Sequence, residues 1–319
     1  MADTIQKIAG RILHNFRTMA MPFGMLVGAL FCRPIAALEQ ASHQLITPVL
    51  IFLMLFVTFC RVRVSEMRLS GVHFYLLLFQ LIVSAVVYFL LLPFQETLAQ
   101  GAMICVLAPV AMAAVVIGGM LGANITTMAT YSLLCNMAIA GIAPIVLSLV
   151  GNGTCTFLQI LARIAPLLVG PFFMAQLCRW LLPKVSGWIA AHGQISFYMW
   201  LISLMVIIGR TTSYIIDLGS EHLWLEIGLA FVALVACLIQ FKVGRMVGRR
   251  YGDAPAGGQS LGQKNTVLAV WMAQSFLDPI SSIAPTAYIV WQNMVNSYQI
   301  YRHDKLEAQQ KAESQPEGE

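Results

Sequence analysis

Runs of apolar residues, each close to the length of a bilayer crossing, alternate along this chain with short segments where its basic residues gather. A spanning helix needs about 20 mostly apolar residues. Ten stretches meet or approach that length, near 18–38, 43–60, 72–93, 101–121, 125–150, 157–182, 194–213, 222–243, 259–276 and 279–301. The first is weakened by Pro22, Arg33 and Pro34, and the continuous apolar part of the ninth, 266–273, is too short to span alone. Before them, residues 1–17 predict a short amphipathic helix on the membrane surface. After them, residues 303–319 are charged and poor in apolar side chains, which predicts a disordered cytoplasmic tail. Lys7, Arg11 and Arg17 precede the apolar run 19–31 as they would in a leader. Arg33 and Pro34 interrupt the chain just after that run and no A-x-A site closes it, so a first span is expected rather than a cleaved signal.

The basic residues test this count independently. With the N-terminus in the cytoplasm and the spans alternating, fifteen of the nineteen lie in cytoplasmic segments: Lys7, Arg11, Arg17, Arg61, Arg63, Arg68, Arg179, Lys184, Lys242, Arg245, Arg249, Arg250, Arg302, Lys305 and Lys311. Arg33 and Arg210 lie outside, and Arg163 and Lys264 lie within spans. That is the bias of the positive-inside rule, and deleting one span would carry the 242–250 cluster to the outer side. The expectation is a multi-pass protein of the cell (inner) membrane with both termini cytoplasmic.

Composition narrows the class further. Of 319 residues, 59% are hydrophobic and 10% charged, against roughly 25% charged in soluble domains. This excludes a soluble domain, which lacks the charge to cover its surface, and a disordered chain, which needs the opposite balance. The mean hydropathy of +0.77 agrees. The seven cysteines, Cys32, Cys60, Cys105, Cys135, Cys155, Cys178 and Cys237, show no CxxC spacing and read as small buried hydrophobes rather than disulfides or metal ligands. No span carries HExxH, GxSxG or paired carboxylates, and there is no phosphate-binding loop, so neither an enzyme nor an ATP-driven pump is expected. No cofactor, metal or nucleic acid is expected as a partner.

Ten spans divide into five and five, 18–150 and 157–301, and an odd number inverts the second half in the membrane. Inverted-repeat transporters place their site on broken helices at matching positions of the two halves. Span four carries Pro109, Gly118, Gly119 and Gly122, and span nine, the fourth of its half, carries Gly257, Gly258 and Gly262. The phrases Gly122-Ala123-Asn124-Ile125-Thr126 and Gly262-Gln263-Lys264-Asn265-Thr266 are alike. Glycine-mediated helix packing explains each segment singly, but their matching positions less well. At a break, half-helix N-termini offer N–H groups to an anion and the free carbonyls suit a cation.

On these residues the chain resembles the bile acid:sodium symporter family over nearly its whole length. Residues 52–58 of span two resemble the family's apolar phrase ending in Gly-Leu-Thr, and span six, with 165–170 before Arg179 and Pro183, resembles the start of the second half. Gly262-Gln263-Lys264-Asn265 resembles Gly-Met-Gln-Asn, and Trp291-Gln292-Asn293 resembles Trp-His-Asn. The resemblance implies an all-α fold of ten transmembrane helices in two inverted five-helix repeats. Helices four and nine are then broken and crossed, and a core domain holding them moves against a panel domain. It implies sodium-coupled uptake of an organic anion.

The family's sodium ligands do not carry over. Aligned on Pro109, its Ser and Asn fall on Ala114 and Val115. Its Glu before the span-nine Gly falls on Ser260, its Gln before Asn on Lys264, and its span-three Gln on Tyr88, five residues before Pro93. In span five, Met128 and Ser132 stand near the remaining positions. Sodium needs several oxygen ligands, and an ammonium would repel it. The expectation is sodium-independent transport with Lys264 supplying the missing charge, or, because a lysine in a low-dielectric site can release its proton, a coupled proton. The contrary reading is that Lys264 snorkels to the headgroups. By resemblance the substrate contacts fall on Met112, Ala113, Asn265, Gln292 and Asn293. Asn293, Asn296 and Asn136 have interhelical hydrogen bonding as their plain alternative.

Arg210 is expected in a solvated pair with Asp217 or Glu221, and Arg163 facing a cavity. Asn152-Gly153-Thr154 fits the glycosylation pattern in an outer loop. A sodium-coupled symporter with a rearranged site and a membrane sensor that binds without transporting are the other readings.

Overall fold

A computed structural model describes residues 22–61, 65, 67–111, 113–151, 153, 155–192 and 194–313. The expectations placed on 1–17, Met112, Asn152, Thr154 and 314–319 lie outside them. Among the described residues fourteen helices form, in the order α1 (Pro22–Leu30), α2 (Cys32–Ala41), α3 (Ile46–Arg61), α4 (Gly71–Leu91), α5 (Glu96–Leu107), α6 (Ala113–Met120), α7 (Ile125–Val150), α8 (Phe157–Leu181), α9 (Pro183–Ala191), α10 (Gln194–Leu218), α11 (Leu223–Arg250), α12 (Ala254–Gly262), α13 (Thr266–Phe276) and α14 (Ile283–Glu313). Among the same residues no strand forms. α14 runs through 303–313, where a disordered tail was expected. A charged stretch in register with a preceding helix continues its hydrogen bonding, a local coupling that composition does not report.

Among the described residues five helices, α4, α7, α8, α10 and α11, are long and apolar enough to cross a membrane, six if α1 and α2, bent by 78°, count as one. Their outer faces carry large apolar side chains such as Phe89, Leu149 and Phe231, exposed by 67%, 79% and 62%. Apolar faces this extensive suit lipid rather than water. The chain is an all-α membrane protein. None of the seven cysteines forms a disulfide, and five are buried.

The chain divides into two compact units. Among the described residues, the first joins 22–61 to 166–223 and holds α1–α3, the later part of α8, α9 and α10. α1 and α2 pack on α10 through small residues. A side chain at Gly28 would meet the Met205 carbonyl, and one at Gly209 would meet Ile35. Glu39, 1% exposed, closes the turn before α3 by accepting from the Thr47 hydroxyl at 2.7 Å and its N–H at 3.3 Å. Arg210 of α10 pairs with this Glu39 at 3.2 Å, not with Asp217, which pairs with Arg33 at 2.6 Å. The expected surface pair of Arg210 is therefore an interior one, because α2 carries a carboxylate opposite it. Arg179 caps the end of α3, donating to the Cys60 carbonyl at 2.9 Å.

The second unit joins, among the described residues, 65–165 to 224–313 and holds α4–α7, the start of α8 and α11–α14. α11 and α12 approach to backbone contact. A Cβ at Gly244 or Gly248 would strike the main chain around Gly257, and one at Gly257 would strike the Gly244 carbonyl. The spacing Gly244-x-x-x-Gly248 is the small-residue interface of membrane helices. Arg163 is exposed on α8. A charge at that face needs no cavity if it reaches the headgroups along its stem.

Candidate functional site

Two helices of the second unit are broken, and their breaks meet. α5 stops at Leu107 because Pro109 forces its predecessor, Ala108, out of the helical region (ψ 139°). The helix resumes as α6 at Ala113. α12 stops at Gly262, and α13 starts after Asn265, whose Oδ1 accepts from the Leu268 N–H at 3.2 Å. The two interruptions then hydrogen-bond to each other. The Ala111 N–H donates to the Gln263 carbonyl and the Asn265 N–H to the Pro109 carbonyl, both at 2.8 Å, around an antiparallel bridge of Val110 with Lys264. Irregular backbone at membrane depth needs such internal partners. Four half-helix ends converge at the bridge: the C-termini of α5 and α12 and the N-termini of α6 and α13.

The C-terminus of α5 is closed by side chains. Lys264 is 1% exposed, and its Nζ donates to the Val106 carbonyl at 2.9 Å. Gln80 of α4 donates from Nε2 to the Leu107 and Ala108 carbonyls at 2.9 and 3.0 Å, and its Oε1 accepts from the Tyr131 hydroxyl at 3.0 Å. Gln240 of α11 lies 3.4 Å from the Cys105 carbonyl and 3.0 Å from the Tyr288 hydroxyl. That hydroxyl donates to the Gly262 carbonyl at 2.9 Å, closing the C-terminus of α12. An ammonium and amide donors are what the negative ends of helix dipoles favour. The carboxylates on these helices stand elsewhere. Glu96 is in the first turn of α5, about 16 Å from Leu107 at 1.5 Å per residue, Asp253 caps the start of α12, and Asp278 follows the end of α13.

Among the expected residues, Lys264 and Gln292 are brought together, since Gln292, 2% exposed, accepts the Lys264 main-chain N–H at Oε1, 3.0 Å away. Lys264 is interior and does not snorkel. Ala113 opens α6, and Ala114 is buried one residue on. Val115 is half-buried, and Ser260 is buried in α12. Ser132 is buried in α7, its carbonyl accepting from Asn136 at 2.7 Å. That bond lies within one helix, so Asn136 is not the interhelical link expected. Asn293 turns its Nδ2 back to the Ile289 carbonyl of its own helix at 2.6 Å. Tyr88 is not at the break: it lies in the last turn of α4, its ring edge-on to Phe89. Gln80, two turns earlier and about 12 Å along the helix, is the α4 side chain that reaches the break.

The two similar phrases do not stand at matching breaks. Residues 122–126 are the turn from α6 to α7, where Gly122 has φ +74°. Backbone 109–111 is what stands opposite the second break. The likeness comes from a shared cap, for Asn124 accepts from the Thr127 N–H three residues on, as Asn265 does from Leu268.

A second group of buried amides holds Asn296, which makes the interhelical hydrogen bonds expected of it, together with Gln259 and Gln263, which the sequence reading missed. Gln259 donates to Asn296 at 3.0 Å, and Asn296 donates to Gln263 at 2.6 Å, bonding α14 to α12 and the second break. Their signal was present in isolated glutamines and asparagines on otherwise apolar helices, which seldom face lipid. No family model and no curated protein matches this chain.

Proposed function

We propose that this protein is a secondary transporter of a small organic anion, built on ten spans in two inverted halves and working by alternating access. Lys264 takes the place of a coupling cation. The observation that carries this reading is the Lys264 ammonium, buried where the two breaks meet, 2.9 Å from the Val106 carbonyl. A cation bound to transporters of the resembled kind would serve the same carbonyl end, and a tethered ammonium makes it permanent. The N-termini of α6 and α13 face the same place with their dipoles positive, which suits an anionic substrate.

The division of the chain supports the two-domain part of the proposal. One unit draws the first two spans of each half and the other draws the last three, with the passage inside α8 at Pro166. An inverted repeat produces this partition, since corresponding helices of the two halves take corresponding places. The unit that holds both broken helices is the core of the resembled family's architecture, and the other is its panel.

The test is uptake of labelled taurocholate by proteoliposomes, with thermal unfolding of the purified protein, each in sodium and in sodium-free buffer. Equal uptake and equal Tm in both are expected. Strong stimulation by sodium would replace this reading with sodium symport through a rearranged site. Stabilisation by the anion with no flux would replace it with a sensor.

A further inference from the structure

Arginine keeps its charge at every accessible pH, so guanidiniums gathered without a carboxylate hold a positive charge that no proton loss can relieve. α11 and α14 make such a cluster at the C-terminal end of α11. Arg245, half-buried on α11, donates from Nη1 to Gln299 Oε1 of α14 at 3.3 Å. Each helix carries an exposed arginine one turn beyond that bond, Arg249 four residues after Arg245 and Arg302 three after Gln299. Both charges act on Arg245. Among the described residues no carboxylate pairs with any of the three. The acids nearest in the chain are directed elsewhere. Asp253 accepts from the Ala256 and Asn124 N–H groups at 2.8 and 2.7 Å, and Asp304, two residues after Arg302, belongs to another side of α14.

The depth of the cluster in the membrane is marked on α14. Its exposed side chains change in order from Met294 through Tyr298 and Tyr301 to Arg302 and Lys305. Exposed tyrosines on a membrane helix mark the level of the headgroups, so the guanidiniums stand where lipid phosphates lie. We propose that Arg245, Arg249 and Arg302 form a binding site for the headgroup of an anionic phospholipid, its phosphodiester held between α11 and α14. A guanidinium presents parallel N–H donors to phosphate oxygens, and basic pockets between membrane helices select such headgroups. Basic residues that only orient a span need no fixed partner, whereas Arg245 is tied across two helices by Gln299. The lipid relieves the repulsion among the three arginines, so it stabilises the unit that holds both breaks.

The experiment follows thermal unfolding of the purified full chain in detergent. The chain is titrated with dioctanoyl phosphatidylglycerol, with dioctanoyl phosphatidylcholine or with inorganic phosphate, at matched ionic strength. A saturable rise in Tm with phosphatidylglycerol is expected, at a concentration about tenfold or more below that at which phosphatidylcholine acts. No response, or equal responses to the two lipids, overturns the proposal. Saturation by inorganic phosphate at the concentration the lipid needs also overturns it and assigns the arginines to a free anion. Arg249→Gln and Arg302→Gln, both at exposed positions, should each raise the half-saturating concentration of phosphatidylglycerol about fivefold, the scale of one basic residue at an anionic surface. Lys184→Gln, exposed in the first unit, removes the same charge and should leave that concentration unchanged. Arginine variants without effect, or an equal effect of Lys184→Gln, overturn the assignment.

Discussion

The carbonyls at the end of α5 depend on individual side chains for their hydrogen bonds. Gln80 serves two of them and the Tyr131 hydroxyl at once. Gln80→Leu leaves buried acceptors without donors, so a loss of about 1–3 kcal/mol is expected, and Tyr131→Phe, which leaves Gln80 in place, should cost less. Thermal unfolding in detergent measures both; a larger loss for Tyr131→Phe would contradict the assignment. The Glu39–Arg210 pair gives a second prediction. Arg210→Met abandons a buried carboxylate and is expected to cost about 3–5 kcal/mol, while adding Glu39→Gln to it should restore part of that. If the double variant is no more stable than Arg210→Met, the pair is not what holds this turn. Lys264 stood out in the sequence as a lone ammonium in an apolar frame, but its burial against the Val106 carbonyl, rather than snorkelling to the headgroups, is visible only in the fold. Gln80 did not stand out, because a fixed offset from Pro93 pointed to Tyr88, and the loop geometry that sets such an offset is not local.

At the element scale, apolar length placed α4, α7 and α8 within two residues of their observed ends, whereas α10 and α11 run five and seven residues past the expected 213 and 243, because a helix continues its hydrogen bonding beyond the apolar run. Pro109 located the first break for a local reason, its effect on Ala108. That the two broken helices cross came from the resemblance alone, and which residues pair was not legible, because it depends on two segments about 150 residues apart finding each other. The interface of α11 with α12 is tested at Gly257, where a side chain would enter the Gly244 backbone. Gly257→Ala is expected to destabilise by more than about 1 kcal/mol. Gly187→Ala in α9, with open space around it, should be neutral or stabilising by about 0.5 kcal/mol. Equal Tm values for the two variants would argue against the close crossing.

At the scale of the whole molecule, basic-residue asymmetry carried the expected topology, and the tail beyond α14 offers its check. A single added cysteine after Glu313 should react with an impermeant maleimide only once the membrane is opened; labelling of intact cells would invert the topology. The central claim, that an ammonium takes the place of a bound cation at the end of α5, is tested most directly by thermal unfolding of Lys264→Ala during titration with sodium or methylammonium. A lowered Tm that rises saturably with either cation is expected, while the wild type stays flat. A wild type that gains as much from sodium as the variant, or a variant indifferent to both cations, would contradict it.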